Sequence, residues 1–472
     1  MTSAQRRVAL LVAACLFMEI TDGSVVNTSA PKIAHTLGVP TSSITLVITA
    51  YIVTVSSLIP LSGWISAHFR TRRVFLVAIA LFTLASVGCA ISTSVPELVA
   101  WRVLQGAGGA MMVPVGRLVV FSGSDKDTLM TVTAYMVWPA LVAPIVAPTI
   151  GGLLTTYLSW HWIFLVNVPL GAAALITAYR IIHPPAQEDP GRLDSIGVVL
   201  TCASLALLTL TADQLSRAHI NWPTTLAIGI TGVALLIWDA LHLWNDRLPV
   251  INLRTLRIRT LRQASWGTAC MFWVIGAGPY LAPIKFELEF GWSPAKAGAL
   301  VLFIFVGNLG VKPIANWIYR RCGFRLVIFI NAVALAAASL ALGLAGPHTP
   351  LALIAFELFV WGTVMSTAAS GISPIAFADV DEDQMRDATV LQSTIVALSV
   401  GFGVAGSAVA IRLGHATGHL FFSGSTTAVE YTFAWAAVAA FSLLVAVCAL
   451  CLQPKAGDAL RGRHATRVTE TA

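Results

Sequence analysis

The sequence predicts an all-α polytopic membrane protein, and three observations carry that prediction. Of 472 residues, 57% are hydrophobic and only 11% charged, with a mean hydropathy of +0.80, against about 25% charged residues in soluble domains. The apolar residues come in runs of about 20, the length at which a helix crosses a hydrocarbon core. Lys and Arg fall mainly on alternate connections between those runs. This composition excludes a cytosolic enzyme, a disordered chain and a soluble nucleic-acid binder.

Runs of spanning length fall near 8–30, 44–66, 74–94, 97–120, 130–157, 162–182, 195–214, 223–244, 264–286, 296–318, 326–346, 350–376, 389–412 and 430–452, which makes fourteen spans. Gly, Ala, Ser and Pro interrupt every run, as expected where helices pack closely in lipid. The first run follows Arg6 and Arg7 but exceeds a signal-peptide core and contains Glu19 and Asp22, so it reads as a retained helix. With the N-terminus inside, 21 of the 29 Lys and Arg residues collect on the inner side, which places both termini in the cytoplasm of a bacterial inner membrane. This bias accounts for the net charge of +7 without nucleic acid. The basic stretch Arg247 to Arg262 is read as a topology determinant, with contact to anionic lipid as the alternative. The seven cysteines are scattered through apolar runs and make no disulfide framework, and the lone pair Cys448 and Cys451 is read as helix packing.

An internal echo organises the chain. Residues 63–74 and 316–327 align at a constant offset of 253, matching Trp64 with Trp317, Ile65 with Ile318, Arg72 with Arg325 and Val74 with Val327. One copy lies between spans two and three and the other between spans ten and eleven, which two six-helix halves separated by two extra helices explain. The expected division is an N-terminal six-helix bundle over 1–183, two additional helices with linkers over 184–262, a C-terminal six-helix bundle over 263–454 and a polar, disordered tail over 455–472.

Ionisable residues inside spans are costly and mark function by default, at about 2.5 to 3.5 kcal/mol each on insertion scales. Glu19 and Asp22 lie three apart on one face of the first span, with Asn27 about one turn beyond, and Arg102 lies one turn from Gln105 and Gly106 in the fourth. Glu357 is a further candidate, while Asp239 and Lys312 fall close enough to span ends to snorkel. Desolvation and like-charge repulsion both oppose double ionisation of Glu19 and Asp22, so the pair is suited to load and release a proton. Arg102 stays charged and would polarise a partner; the alternative is that it forms a buried pair with Asp22 that ties spans one and four together. In residues 139–152, Pro144, Pro148 and Gly152 recur every four residues, as do Ala143, Ala147 and Gly151, leaving helix faces with little bulk that permit either a tight contact or a hinge.

These segments resemble the major facilitator superfamily, specifically its fourteen-span drug:proton antiporter branch, and the match is collinear over almost the whole chain. Asp22, Ser24, Val25, Val26, Asn27 and Pro31 are similar to that branch's first-span motif, and Trp101 to Ala110, with Arg102, Gln105 and Gly106, to its fourth-span motif. Residues 143–152 resemble the antiporter motif of span five, and residues 160–171 the signature entering span six. At the turn after span two, Gly63, Arg72 and Arg73 follow the family pattern, but Ala67 and His68 replace its Asp-Arg pair, Arg70 replaces a glycine, and Ala147 replaces a glycine in the fifth-span motif. The resemblance implies a proton-coupled exporter of small amphipathic or cationic compounds, working by alternating access, with no cofactor beyond the proton gradient and no catalytic or metal site. Proton coupling falls to Asp22, Glu19 and Arg102; substrate lining to Asn27, Gln105, Trp138, Trp273, Glu357 and Trp361; gating and packing to Gly63, Arg72, Arg73, Gly106, Pro144, Pro148, Gly151 and Gly152. Trp64, Trp101, Trp160, Trp162, Trp222, Trp244 and Trp292 are expected in the interfacial belt, and ordinary packing is the alternative for Trp138, Trp273 and Trp361. The partners expected are substrate, protons and lipid; a periplasmic adaptor is a further partner that no residue pattern specifies. Two rivals stand beside this reading: an exporter dedicated to a metabolite, sugar acid or siderophore, and a non-transporting membrane sensor. Asp22→Asn is expected to abolish proton-linked export and leave folding intact.

Overall fold

The computed structural model describes residues 3–39, 41–122, 129–182, 194–216, 220–246, 249–381, 384–421 and 426–453. Among these residues the secondary structure is helical throughout: α1 Ser3–Leu37, α2 Thr41–Leu58, α3 Leu61–His68, α4 Thr71–Ile91, α5 Val95–Ser122, α6 Leu129–Tyr157, α7 Trp162–Leu165, α8 Asn167–Ile181, α9 Ser195–Ser216, α10 Trp222–Asn245, α11 Arg259–Leu288, α12 Pro294–Cys322, α13 Phe324–Leu344, α14 Leu351–Ile375, α15 Met385–Phe421 and α16 Thr426–Cys451. A five-residue 3-10 turn at Leu253–Arg257 precedes α11.

Twelve helices among the described residues are long and apolar enough to cross a membrane, and a thirteenth span results if α2 and α3, bent by 61°, count as one. Pro60 lies at that bend, where its missing N–H breaks the helical ladder. The fourteen spans expected from hydropathy are not reached by this count, which leaves out α6, a 29-residue helix with many side chains outside the described set. Apolar side chains such as Val77, Leu84, Ile230, Trp238 and Leu344 are exposed on the outer surfaces, a distribution that suits lipid as the surrounding solvent.

The two halves repeat one packing plan. In the first, α1 packs along α6, α2 along α5, and α4 against α5 and α8; in the second, α11 packs along α15, α12 along α14, and α13 against α14 and α16. The repeat extends to the backbone. Arg70 and Gly323, related by the offset of 253 that aligns the sequence echo, both precede a helix with φ of 66° and 84°. Gly323 adopts this conformation freely, whereas Arg70 carries a Cβ in a region that L-residues avoid.

The two helices between the halves occupy the seam. α9 packs against both α2 and α15, and α10 packs on α9. Thr49 of α2 donates to Asp213 Oδ1 at 2.9 Å, and Arg412 of α15 donates to the Leu215 carbonyl at 2.7 Å, so one end of α9 is tied to both halves.

Candidate functional site

Side chains of α5 and α8 converge on the carboxylate of Asp22 in α1, and α4 supports them through Gln105. Arg102 NH1 of α5 donates to Asp22 Oδ2 at 2.5 Å, and Gln105 Nε2, one turn along α5, donates to Asp22 Oδ1 at 2.9 Å. Asn167 Nδ2, at the start of α8, reaches the same Oδ1 at 2.8 Å. Gln105 is itself oriented: its carbonyl oxygen accepts from Arg102 at 2.8 Å, and its amide donates to Ser86 Oγ of α4 at 2.9 Å. Asp22, Ser86, Arg102, Gln105 and Asn167 are all buried. The guanidinium lies over the Tyr51 ring at 4.2 Å and near the Phe164 ring at 5.8 Å, both within cation–π range. Burying an ion pair costs solvation that only good geometry and extra hydrogen bonds repay, and here three donors satisfy the one carboxylate.

Close helix approach makes this arrangement possible. A Cβ on Gly106 would come within 2.9 Å of Thr54 and 3.0 Å of the Tyr51 carbonyl, so glycine at this position lets α2 press onto α5 and bring Tyr51 over Arg102.

Glu19 lies outside the hydrogen-bonded cluster. Its Oε2 and the Tyr51 hydroxyl are buried without a hydrogen-bond partner, and a Cβ on Gly109 would lie 3.7 Å from Glu19 Oε1 and 3.2 Å from that hydroxyl. Both groups therefore overlie the same point of α5. Arg117, two turns further along α5, interacts electrostatically with Glu19. The two acids singled out in the first span thus have different surroundings, one fully bonded and one holding an unpaired oxygen.

The other expected lining residues are not gathered here. Trp361 is completely buried in the second half, donates to Ser339 Oγ at 2.9 Å and packs edge-on against Trp435 at 6.1 Å. It fills the core where a cavity wall was expected, because bare Gly278 receives its ring. Trp273 stacks on Phe441 at 3.9 Å and packs against Gly403 and Gly406, a core position as well. Glu357 belongs to a separate cluster in the second half around Lys285, whose ammonium donates to the Leu342 and Gly343 carbonyls at 2.8 and 2.6 Å and lies 3.7 Å from Glu289. The side chains of Asn27, Trp138, Pro144 and Pro148 lie outside the described residues. Of the expected belt tryptophans, Trp162, Trp222 and Trp244 are exposed, but Trp160 is buried and stacks on His161 at 4.0 Å.

The gating residues separate by role. Gly63 sits where the halves meet: a Cβ there would come 2.7 Å from Val390 Cγ2 of α15. Ser62, Ser66, Pro114, Val115, Leu118, Arg386 and Thr389 surround the same contact, and Phe121 meets Phe377 nearby at 5.3 Å. Arg72 ties α4 to α8 by donating to the Tyr179 carbonyl at 2.6 Å, while Arg73 is exposed. On α6, Ala143, Ala147 and Gly151 are buried, Ala147 in one apolar cluster with Val26, Ala30 and Ile33 of α1, and Gly152 is exposed beside open space.

Residues 12–404 match the family model of the Major Facilitator Superfamily. The chain belongs to that superfamily. It is 32% identical over 439 residues, 92% of each chain, to a protein of Escherichia coli O6:H1 (strain CFT073) named multidrug resistance protein MdtD. Its fold is similar to that of the human organic anion transporter MFSD10 (TETRAN), with a TM-score of 0.67 at 15% identity over 96% of this chain and 100% of the other. It is likewise similar to the proton:xylose symporter XylE bound to 6-bromo-6-deoxy-D-glucose, with a TM-score of 0.64 at 14% identity over 94% and 95%. This major facilitator protein is therefore a membrane transporter and no enzyme.

Asn167, Ser86, Tyr51 and Arg117 escaped sequence reasoning. Asn167 stood inside a recognised stretch yet carried no signal beyond being an amide in an apolar run. Tyr51 and Arg117 were open to the question asked of Glu19, namely what a polar group in a span is paired with, but their partners lie on other helices.

Proposed function

We propose that this major facilitator transporter is a proton-coupled exporter of small amphipathic or cationic organic compounds in a bacterial inner membrane, with both termini cytoplasmic. The observation that carries the coupling is the contrast within α1: Asp22 accepts three hydrogen bonds, including one from Arg102, whereas Glu19 Oε2 has none. Glu19 is the proton carrier in this reading. Asp22, held by Arg102, Gln105 and Asn167, fixes the geometry of α1, α4, α5 and α8 around it. The expectation from sequence shared proton coupling among Asp22, Glu19 and Arg102; this proposal narrows the carrier to Glu19. Asp22 has every hydrogen bond directed at it from fixed donors, whereas Glu19 holds an oxygen without a donor and meets Arg117 only electrostatically, which leaves it free to change its proton load.

Transport follows by alternating access of the halves. The contact of Gly63 with Val390, with Phe121 against Phe377, closes the end rich in arginine, which the positive-inside bias assigns to the cytoplasm. A proton reaching Glu19 from the other side would neutralise it, weaken a bound cation and release the halves to reopen inward. One charge crossing 100 mV contributes about 2.3 kcal/mol, to which a pH gradient adds. The relative's name supports export of drug-like compounds.

The test is uptake into everted membrane vesicles from a panel of labelled compounds, including lipophilic cations, sugar acids and siderophores. Uptake of amphipathic cations that a protonophore abolishes is the expected result. Protonophore-sensitive uptake confined to one metabolite would favour the dedicated exporter, and uptake indifferent to protonophore for every compound would overturn proton coupling.

A further inference from the structure

At one end of the α9–α10 pair, three potential metal-ligating side chains converge where no transport step needs them. His242 in the last turn of α10 has Nε2 2.9 Å from Asp194 Oδ1, just before α9, and 3.7 Å from Asp246 Oδ2, one turn onward. One ligand atom from each of the three lies within 4.8 Å of the others. For a divalent ion bound about 2.1 Å from each ligand, tetrahedral geometry requires ligand separations of roughly 3.4 Å. Two of the separations already bracket that value, and a contraction of about an ångström would complete the set.

A second, independent feature points to a cation there. Asp239, one turn before His242, is 2% exposed; Thr201 donates to its Oδ2 at 2.8 Å, but its Oδ1 is buried without a partner. Asp239 interacts electrostatically with His242 and Asp194. Asp194, with its side chain 5% exposed, likewise holds Oδ2 buried and unpartnered, while its Oδ1 accepts from the Gly197 amide at 2.7 Å. The nearby Arg254 guanidinium donates to the carbonyls of Trp244, Asn245 and Asp246. Three carboxylates lie around one imidazole, and the buried oxygens Asp194 Oδ2 and Asp239 Oδ1 have no hydrogen-bond partner. Unpartnered buried carboxylate oxygens are costly, and a divalent cation held by Asp194 would offset that cost at its carboxylate.

We propose that Asp194, His242 and Asp246 ligate a divalent transition-metal ion, Zn²⁺ by ligand type, with Asp239 as the supporting carboxylate beneath it. Imidazole with carboxylate oxygens suits zinc-like ions over Mg²⁺ and Ca²⁺, which favour all-oxygen shells. The ion clamps the loop before α9 to the last turn of α10.

The experiment uses the full-length chain purified in detergent and stripped with chelator. Zn²⁺ affinity is measured by competition with a chromogenic chelator, and Co²⁺ is added as a spectroscopic probe. The expected result is one tight Zn²⁺ per chain, absorption bands of a Co²⁺ site with nitrogen ligation, and Zn²⁺ affinity at least about tenfold weaker in His242→Asn, since even outer-shell losses cost 10–100-fold. Asp246→Asn, on an exposed helix end, provides a second variant should His242→Asn not purify as a monodisperse species. Equal Zn²⁺ uptake by wild type and either variant, or Co²⁺ spectra of the hexa-aquo ion alone, would overturn the assignment.

Discussion

Removing the negative charge at position 22 leaves the Arg102 guanidinium buried against Tyr51 and Phe164 without its counter-ion. Losing one partner of a buried pair costs about 3 to 5 kcal/mol, so Asp22→Asn is expected to lower the thermal stability of the purified protein as well as its transport, in contrast to the sequence-based expectation of intact folding. Glu19→Gln removes a charge whose Oε2 has no donor and which meets Arg117 only electrostatically, and its melting temperature is expected to fall less than that of Asp22→Asn. A differential scanning measurement on both variants separates the two roles; equal destabilisation would contradict the division. The charges themselves were legible in the sequence because an acid or arginine in an apolar run stands out. What each one bonds to was not, since Asn167 lies 145 residues from Asp22 and reaches it only through the fold. The tryptophans show the same limit: spacing cannot say whether an indole faces a void or, like Trp361, fills the space above a glycine on another helix.

Among the elements, the turn between α3 and α4 carries the clearest cost. Arg70 holds φ 66° where the repeat-related residue in the second half is Gly323, and a residue kept in such a conformation stores about 1 to 3 kcal/mol. Arg70→Gly is therefore expected to stabilise the protein by about 1 kcal/mol or more, seen as a rise in the unfolding midpoint; a fall would show that contacts of the Arg70 side chain outweigh the backbone strain. The sequence echo located this turn and its counterpart correctly, because turn conformation is set locally. The bend at Pro60 was open to the same local reasoning, but hydropathy averages over it, and the second span read as one run.

For the whole molecule, the account rests on two repeated bundles that touch at the end rich in arginine and on a helix pair wedged into the seam. A Cβ on Gly63 would stand 3.7 Å from Val390 Cβ, inside the 3.5–4.5 Å range of disulfides. In a background lacking the seven native cysteines, the pair Gly63→Cys with Val390→Cys is expected to cross-link under mild oxidant and stop transport, and to recover it on reduction. Full transport by the cross-linked protein would exclude motion at that contact. Class, repeat and orientation bias were legible from hydropathy and charge, which act along the chain; the docking of α9 on both halves through Asp213 and Leu215 was not, because nothing in an apolar helix announces which seam it fills. The measurement that bears most directly on the whole account is proton flux into liposomes carrying purified Glu19→Gln, with the compound that everted vesicles accumulate most strongly. The account predicts that the variant exchanges substrate down its gradient while substrate-dependent proton entry disappears; proton entry at the wild-type rate would contradict it.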